Sequence, residues 1–463
     1  MIKLPDKNYI KLTLGIAAAF IIAAILSINP LIPALLSLIY IYVLIKRPVL
    51  RHFSLLNFIL LYLLILVTGY FTLKNGLAVY YIPFSVMPML VVLLFNNLEL
   101  ALLISITSGV SVATFTSTPF QTTALFLISG VSSGILCFGA RRRTAVIRAG
   151  ILTGLIQAIT LILTDYLWFG APFRYLVLFI NGIASSIIVL GILPVFEYLF
   201  RTPTNISLLE LADFHHPLLQ RLILEAPGTY HHSLIVGNLS ETACNAVGAN
   251  ALLARIGSYY HDIGKLEKSE YFSENQAESV NKHDKLSPAM SKMIIMNHVK
   301  EGAELARKYN LSPVILDFIN QHHGNSLVYY FYRRALETLE EDQEIREEGF
   351  RYPGPKPNSK ETAIVLLADS VEAATRALRD PSNAKVEEIV QKVINNKFID
   401  GQLDECELTL KDLEKISKVF IRILSGIYHT RTPYPEGVNV ESNHKKSAKE
   451  NRTSSSKDKP LNP

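Results

Sequence analysis

Seven side chains within one stretch of the sequence have the types that hold a pair of metal ions: His232, the adjacent His261 and Asp262, His298, the adjacent His322 and His323, and Asp369. Each interrupts a segment otherwise rich in apolar helical positions, where packing has no use for an imidazole. Neutral imidazole and carboxylate suit Fe, Mn or Zn, and one carboxylate can bridge two such ions. A lone helical histidine is more often surface or satisfied core, and His215, His216, His283, His429 and His444 are read that way. His231 and His232 point about 100° apart around a helix, so normally only one of the two faces a site.

The elements that must position these groups are helices. Residues 230–233 open an amphipathic helix that runs through Leu239, and residues 260–265 end a helix begun near Ala251, with Gly264 as its stop. Residues 297–302 begin or interrupt a third helix, and residues 321–324 close a fourth. Residues 367–373 place Asp369 on an otherwise apolar helix face. A buried cluster of unpaired imidazoles and acids is costly, so these helices are expected to converge on a metal. Pro227 with Gly228, Gly248, Ser312 with Pro313, and residues 352–357 punctuate the region. No strand alternation is sustained, and the fold class expected is all-α.

N-terminal to this region lies a membrane sequence. Residues 1–200 contain only four of the chain's 40 acids, Asp6, Glu99, Asp165 and Glu197. Hydropathy marks segments near 10–28, 31–46, 53–73, 78–95, 98–116, 122–139, 146–168 and 173–199, about eight spans, the second of them short. With the N-terminus inside, Lys3, Lys7, Lys11, Lys46, Arg47, Arg51, Arg141, Arg142, Arg143 and Arg148 face the cytoplasm, and only Lys74 and Arg174 fall outside. That bias puts everything after residue 200 in the cytoplasm. Recurring glycines (Gly109, Gly130, Gly134, Gly150, Gly154, Gly182, Gly191) suit closely packed membrane helices. Asp165 and Glu197 lie at span ends and read as interfacial, and no paired broken helices suggest a transporter.

The domains expected are a transmembrane bundle over 1–200, a linker helix over 201–227, a helical domain over 228–435 and a disordered tail over 436–463. The net charge of +5 is modest, and the solvated lysines of that tail contribute to it, so no nucleic-acid polymer is expected as a partner. Cys137, Cys244 and Cys406 are too few and too scattered for a disulfide framework or a thiolate site, which fits a reducing cytoplasm.

Residues 225–233, 248–250, 253–257, 260–265, 274–276, 321–324, 350–357 and 366–374 together resemble the HD-domain metal-dependent phosphohydrolases. More closely, they resemble the seven-transmembrane HD proteins that hydrolyse cyclic di-AMP in bacteria; the run Pro353-Gly354-Pro355-Lys356-Pro357 narrows the likeness to that family. Members commonly carry a large extracellular domain after a first membrane helix, whereas only Ile28, Asn29 and Pro30 separate the first two segments here. The resemblance implies an N-terminal multi-span bundle followed by an all-helical cytoplasmic HD domain, in a bacterial cell membrane.

It also implies a ligand set. His232, His261 and Asp369 would hold one divalent ion, His298, His322 and His323 the other, and Asp262 would bridge them, with Mn or Fe as the ions. Two such ions activate a shared water and clamp a phosphodiester. Asp262 and Lys265 are the catalytic candidates; Lys265, and more weakly Arg376, are the candidates for phosphate contact. Tyr259, Tyr260, Tyr271, Phe272 and Tyr352 offer surfaces for adenine. The expected reaction opens cyclic di-AMP to pApA, and the partners are a cyclic dinucleotide and the lipid bilayer, with a homodimer as an allowed assembly. The residues alone support only a two-metal phosphohydrolase, leaving open cyclic di-GMP, another nucleotide phosphate, or a nucleotide-binding receptor without turnover.

Overall fold

A computed structural model gives the fold and describes residues 55–164, 172–276, 281–337, 345–378 and 382–427. The expected segments 10–28 and 31–46, Asp165 and the polar tail lie outside the described residues. Secondary structure is helical throughout; the single β-bridge among the described residues joins Leu327 to Arg351. The all-α expectation holds.

The first half comprises α1 (Leu55–Lys74), a 3-10 turn (Val79–Tyr81), α2 (Val86–Phe95), α3 (Leu98–Ala113), α4 (Pro119–Cys137), α5 (Arg143–Thr164) and α6 (Phe173–Phe200). Of these, α4, α5 and α6 are long and apolar enough to cross a membrane. The expected continuous span over 78–95 is instead a turn followed by a short helix, because Pro83 cannot donate a helical hydrogen bond. Irregular backbone at membrane depth survives only inside protein. Here Asn181 Nδ2 donates to the carbonyls of Tyr80 (3.2 Å) and Ile82 (2.7 Å), and α2 is buried from Val86 to Leu94. The glycines act as expected where α5 meets α6: a Cβ on Gly154 would lie 2.3 Å from the Phe179 carbonyl oxygen. Gly191 has open space and plays no such part.

Glu197, expected as an interfacial acid, ties the last span to the start of the next helix. It accepts from the Thr204 N–H (2.8 Å) and from Ser207 Oγ (2.7 Å). The expected single linker helix is two helices, α7 (Asn205–Leu211) and α8 (Pro217–Glu225). Pro217 forces His216 out of the helical region, to φ −60 and ψ 128. Leu218, Leu219 and Leu222 are buried with Tyr260, Ile263 and Ile315, so this segment is a wall of the C-terminal unit rather than a free connector.

That unit contains α9 (Pro227–Val247), α10 (Ala251–Tyr260), 3-10 turns over Ile263–Tyr271 and Ser273–Asn275, α11 (Pro288–Lys308), α12 (Pro313–Gln321), α13 (Tyr329–Glu337), α14 (Lys360–Arg376), α15 (Asn383–Ile399) and α16 (Leu410–Ile427). Local chemistry sets the boundaries. Pro227 and Gly228 fill the first turn of α9 and Gly248 (φ +72) ends it. Asn250, Ser287 and Ser312 cap α10, α11 and α12 by accepting from backbone N–H groups, and Ser359 with Thr362 forms a capping box on α14. Helix α14 is the axis: residues 362–369 are all buried, against Val236 and Leu239 of α9 and Ile416 and Phe420 of α16. An apolar surface on every side is what a central helix requires.

Candidate metal centre

Five separate segments deliver the seven side chains to one place. His232 lies in the second turn of α9, His261 and Asp262 follow directly on α10, His298 sits inside α11, His322 and His323 follow α12, and Asp369 is midway along α14. They form two groups, Asp262 with His298, His322 and His323, and His232 with His261 and Asp369.

Asp262 faces both. Its Oδ1 lies 3.3 Å from His298 Nε2 and 3.6 Å from His322 Nε2, while its Oδ2 lies 3.2 Å from His261 Nε2 and 3.6 Å from His232 Nε2. Asp369 closes the second group, with Oδ1 3.1 Å from His232 Nε2, and reaches the first through Oδ2, 3.6 Å from His323 Nδ1.

The far side of four of the five rings is hydrogen-bonded through Nδ1. Nδ1 donates to the Ser258 carbonyl from His261 (2.6 Å), to Ile295 from His298 (2.5 Å) and to Ile319 from His322 (2.9 Å). His232 Nδ1 donates instead to Glu372 Oε2, at 2.5 Å. With Nδ1 carrying the proton, Nε2 of His261, His298 and His322 presents a lone pair inward, the arrangement of metal-binding histidines, whereas His323 turns Nδ1 toward Asp369. His261 Nε2 and Asp262 Oδ1 are buried without a hydrogen-bond partner, a costly state that a cation would relieve. The residues therefore fit a divalent-metal pair.

Electrostatics point the same way. Burial would raise the Asp262 and Asp369 carboxyls, but the neighbouring His261 and Lys265, and His232 and His323, hold both well below the usual range. Burial pushes His298 down to about 3 and His323 well below normal, keeping both neutral. For His232, burial is outweighed by Asp369 and Glu372, which lift it to about 9. The paired acids thus demand positive charge at the centre of the cluster.

Several expectations change. Gly264 does not stop α10, which ends at Tyr260. It lies in the 3-10 turn beyond, where a Cβ would meet the His298 carbonyl oxygen at 1.9 Å and Gly302 N at 2.4 Å. This close approach sets the Asp262 segment against α11. Gly264→Ala is expected to cost about 1–3 kcal/mol of stability and to weaken metal binding, as followed by thermal unfolding with and without added Mn²⁺. His298 sits within the continuous α11 and neither begins nor breaks it, because Ser287 and Pro288 start that helix ten residues earlier.

Lys265, a candidate for phosphate contact, has its Nζ between Asp262 Oδ2 (2.7 Å) and Glu274 Oε1 (2.8 Å), since a buried ammonium needs anionic partners. Arg376 lies at the rim, 3.3 Å from Glu372 and 4.0 Å from Glu274. Tyr259 and Tyr260 are buried in the core against α8, and Tyr271 packs on His283. Of the aromatic candidates only Tyr352, stacked on His323 at 4.3 Å, and Phe272, edge-on to His298 at 5.8 Å, border the centre. His231 is exposed and faces away from it. Sequence reasoning missed the roles of Glu372 and Glu274. The spacing of Glu372, three residues after Asp369 and so on the same helix face, was the available signal.

Residues 229–374 match the family described as HD domain, and residues 14–204 match the family described as 7TM receptor with intracellular HD hydrolase. The chain belongs to this 7TM–HD family. Like other members it is a membrane protein, and its HD domain carries the candidate metal cluster. The 7TM–HD chain is 45% identical over 318 residues to the cyclic-di-AMP phosphodiesterase PgpH of Bacillus subtilis, covering 67% of this chain and 44% of that protein. It is 38% identical over 361 residues to PgpH of Listeria monocytogenes, covering 76% and 50%. The chain thus spans about half the length of the curated relatives it matches. A crystal structure of the L. monocytogenes PgpH HD domain in complex with cyclic-di-AMP is 45% identical, covering 47% of this chain and 100% of that one, with a TM-score of 0.45.

Proposed function

We propose that this chain is a membrane-anchored phosphodiesterase that uses two divalent ions to open one phosphodiester of 3′,3′-cyclic di-AMP, giving pApA. The observation that carries it is the placement of Asp262, one oxygen on each histidine group. The activity named for the two PgpH relatives supports the choice of substrate.

In this reading His232, His261 and Asp369 would hold one ion and His298, His322 and His323 the other, with Asp262 available to both; the imidazole-rich set suits Mn or Fe. Bound ions would supply Lewis acidity and a nucleophile at neutral pH. The chain's own groups do the rest. Ser258, Ile295, Ile319 and Glu372 hold the imidazoles in the ligating tautomer. Lys265 holds Asp262 ionised and oriented, and Glu274 fixes the Lys265 ammonium in place. His323 and Asp369 are 21% and 11% exposed while the other ligands are 3% or less, so substrate enters on their side. Arg376, partly exposed and beside Glu372 and Glu274, is a further group that can draw in an anionic phosphate. The HD domain lies in the cytoplasm, a placement that the distribution of basic loop residues supports.

The test offers purified residues 205–440, loaded with Mn²⁺, equal amounts of cyclic di-AMP and cyclic di-GMP. Linear pApA should be the main product, and a chelator should stop its formation. Preferential cleavage of cyclic di-GMP would reject the substrate, and tight binding of cyclic di-AMP without turnover would make the chain a receptor.

A further inference from the structure

A second candidate ligand site lies outside the HD domain, on the membrane bundle. Where α4 gives way to α5 the chain turns at Gly139 (φ +65), and Asn96 Oδ1 fixes the turn by accepting from the Gly139 N–H at 3.3 Å. The turn and the first turns of α5 enclose a depression of about 510 Å³. Arg141, Arg142 and Arg148 line one part of it, and Leu136, Phe138 and Leu152 another.

Three features define what it would take. All three arginines are exposed, and among the described residues none has an acidic partner, although Arg143 between them is paired with Glu210 of α7 at 2.7 Å. The apolar part opens onto the bundle's outer surface: Phe138 is 48% exposed and Leu152 47%, and Leu155 and Ile159 continue the exposed apolar stripe along α5. The Arg143–Glu210 contact also places the depression on the same membrane face as the HD domain. Three guanidinium groups with no acidic partner among the described residues, beside an apolar surface at the rim of a membrane bundle, match a ligand that is anionic at one end and hydrocarbon at the other.

We propose that this depression binds the phosphate headgroup of an anionic phospholipid, with Arg141, Arg142 and Arg148 on the phosphate and an acyl chain along Leu152, Leu155 and Ile159. Guanidinium groups contact phosphate through several N–H donors at once, which favours arginine over lysine at such a site. A basic rim needed only for membrane orientation would require the charges but not the depression that they line.

The test is native mass spectrometry of the full chain in mild detergent, with phosphatidylglycerol or phosphatidylcholine added at equal concentration. Phosphatidylglycerol should be retained in preference. Arg148→Gln should weaken its retention by about five-fold, and Arg141→Gln/Arg142→Gln/Arg148→Gln by about a hundred-fold. If the triple variant elutes as aggregate, the single substitution of the exposed Arg148 decides the matter. Equal retention of both lipids, or unchanged retention by the variants, overturns the proposal. Displacement of phosphatidylglycerol by inorganic phosphate alone would show a site for soluble anions and also overturn it. None of these readouts depends on catalysis, so the outcome stands apart from the proposed hydrolysis.

Discussion

Asp262→Ala is expected to abolish hydrolysis and to empty both halves of the metal centre together. Removing an outer partner of a metal ligand commonly costs about 10–100-fold, so removing a carboxylate that faces both histidine groups should cost more than that. The two oxygens of Asp262 face four imidazoles from four separate segments, and no other carboxylate among the described residues does so. Metal content measured beside pApA formation separates this from a simple loss of one group. Both ions should be lost or weakened, whereas His232→Ala should mainly affect the group containing Asp369. His231→Ala, at an exposed neighbouring position, should change neither quantity. Asp262 variants that kept the wild-type rate would refute a shared ligand.

Much of this centre was legible in the sequence because polar residues that cannot be justified by packing stand out against apolar helix faces. His298 is an example: its neighbours Gly302, Ala303 and Ala306 are buried packing residues, and an imidazole among them needs a reason. Punctuation was equally readable, since Pro227, Ser312 and Pro313 carry local conformational preferences that tertiary structure did not override. What stayed hidden was direction. Whether Lys265 meets substrate or Asp262 depends on how a turn folds back, and that is decided by Gly264 against α11 and by Glu274, which approaches from its own short 3-10 turn. The broken segment 78–95 was hidden for another reason. Its hydropathy is that of a span, and only the distant Asn181 reveals that carbonyls there need a donor.

Lys265→Met should be the most destabilising single change in the metal-free HD domain. The ammonium is buried between Asp262 and Glu274, and although burial alone would lower its pKa, the two acids push it up, so it stays charged at neutral pH. Breaking a buried pair leaves uncompensated charge and costs about 3–5 kcal/mol, and here two carboxylates are abandoned together. Added Mn²⁺ should recover part of that loss, because cations at the centre compensate Asp262 but leave Glu274 alone. Lys265→Met/Glu274→Gln should recover part of it in the metal-free state, since the second acid is then neutral. Thermal unfolding of residues 205–440 with and without metal measures all three quantities, and a loss insensitive to both treatments would rule out the ion-pair role. Turnover of the double variant decides the remaining question. If Lys265 serves only to hold Asp262, a stable, metal-loaded double variant should keep much of its kcat with KM little changed. If the ammonium also meets the phosphate, that variant will be stable and nearly inactive.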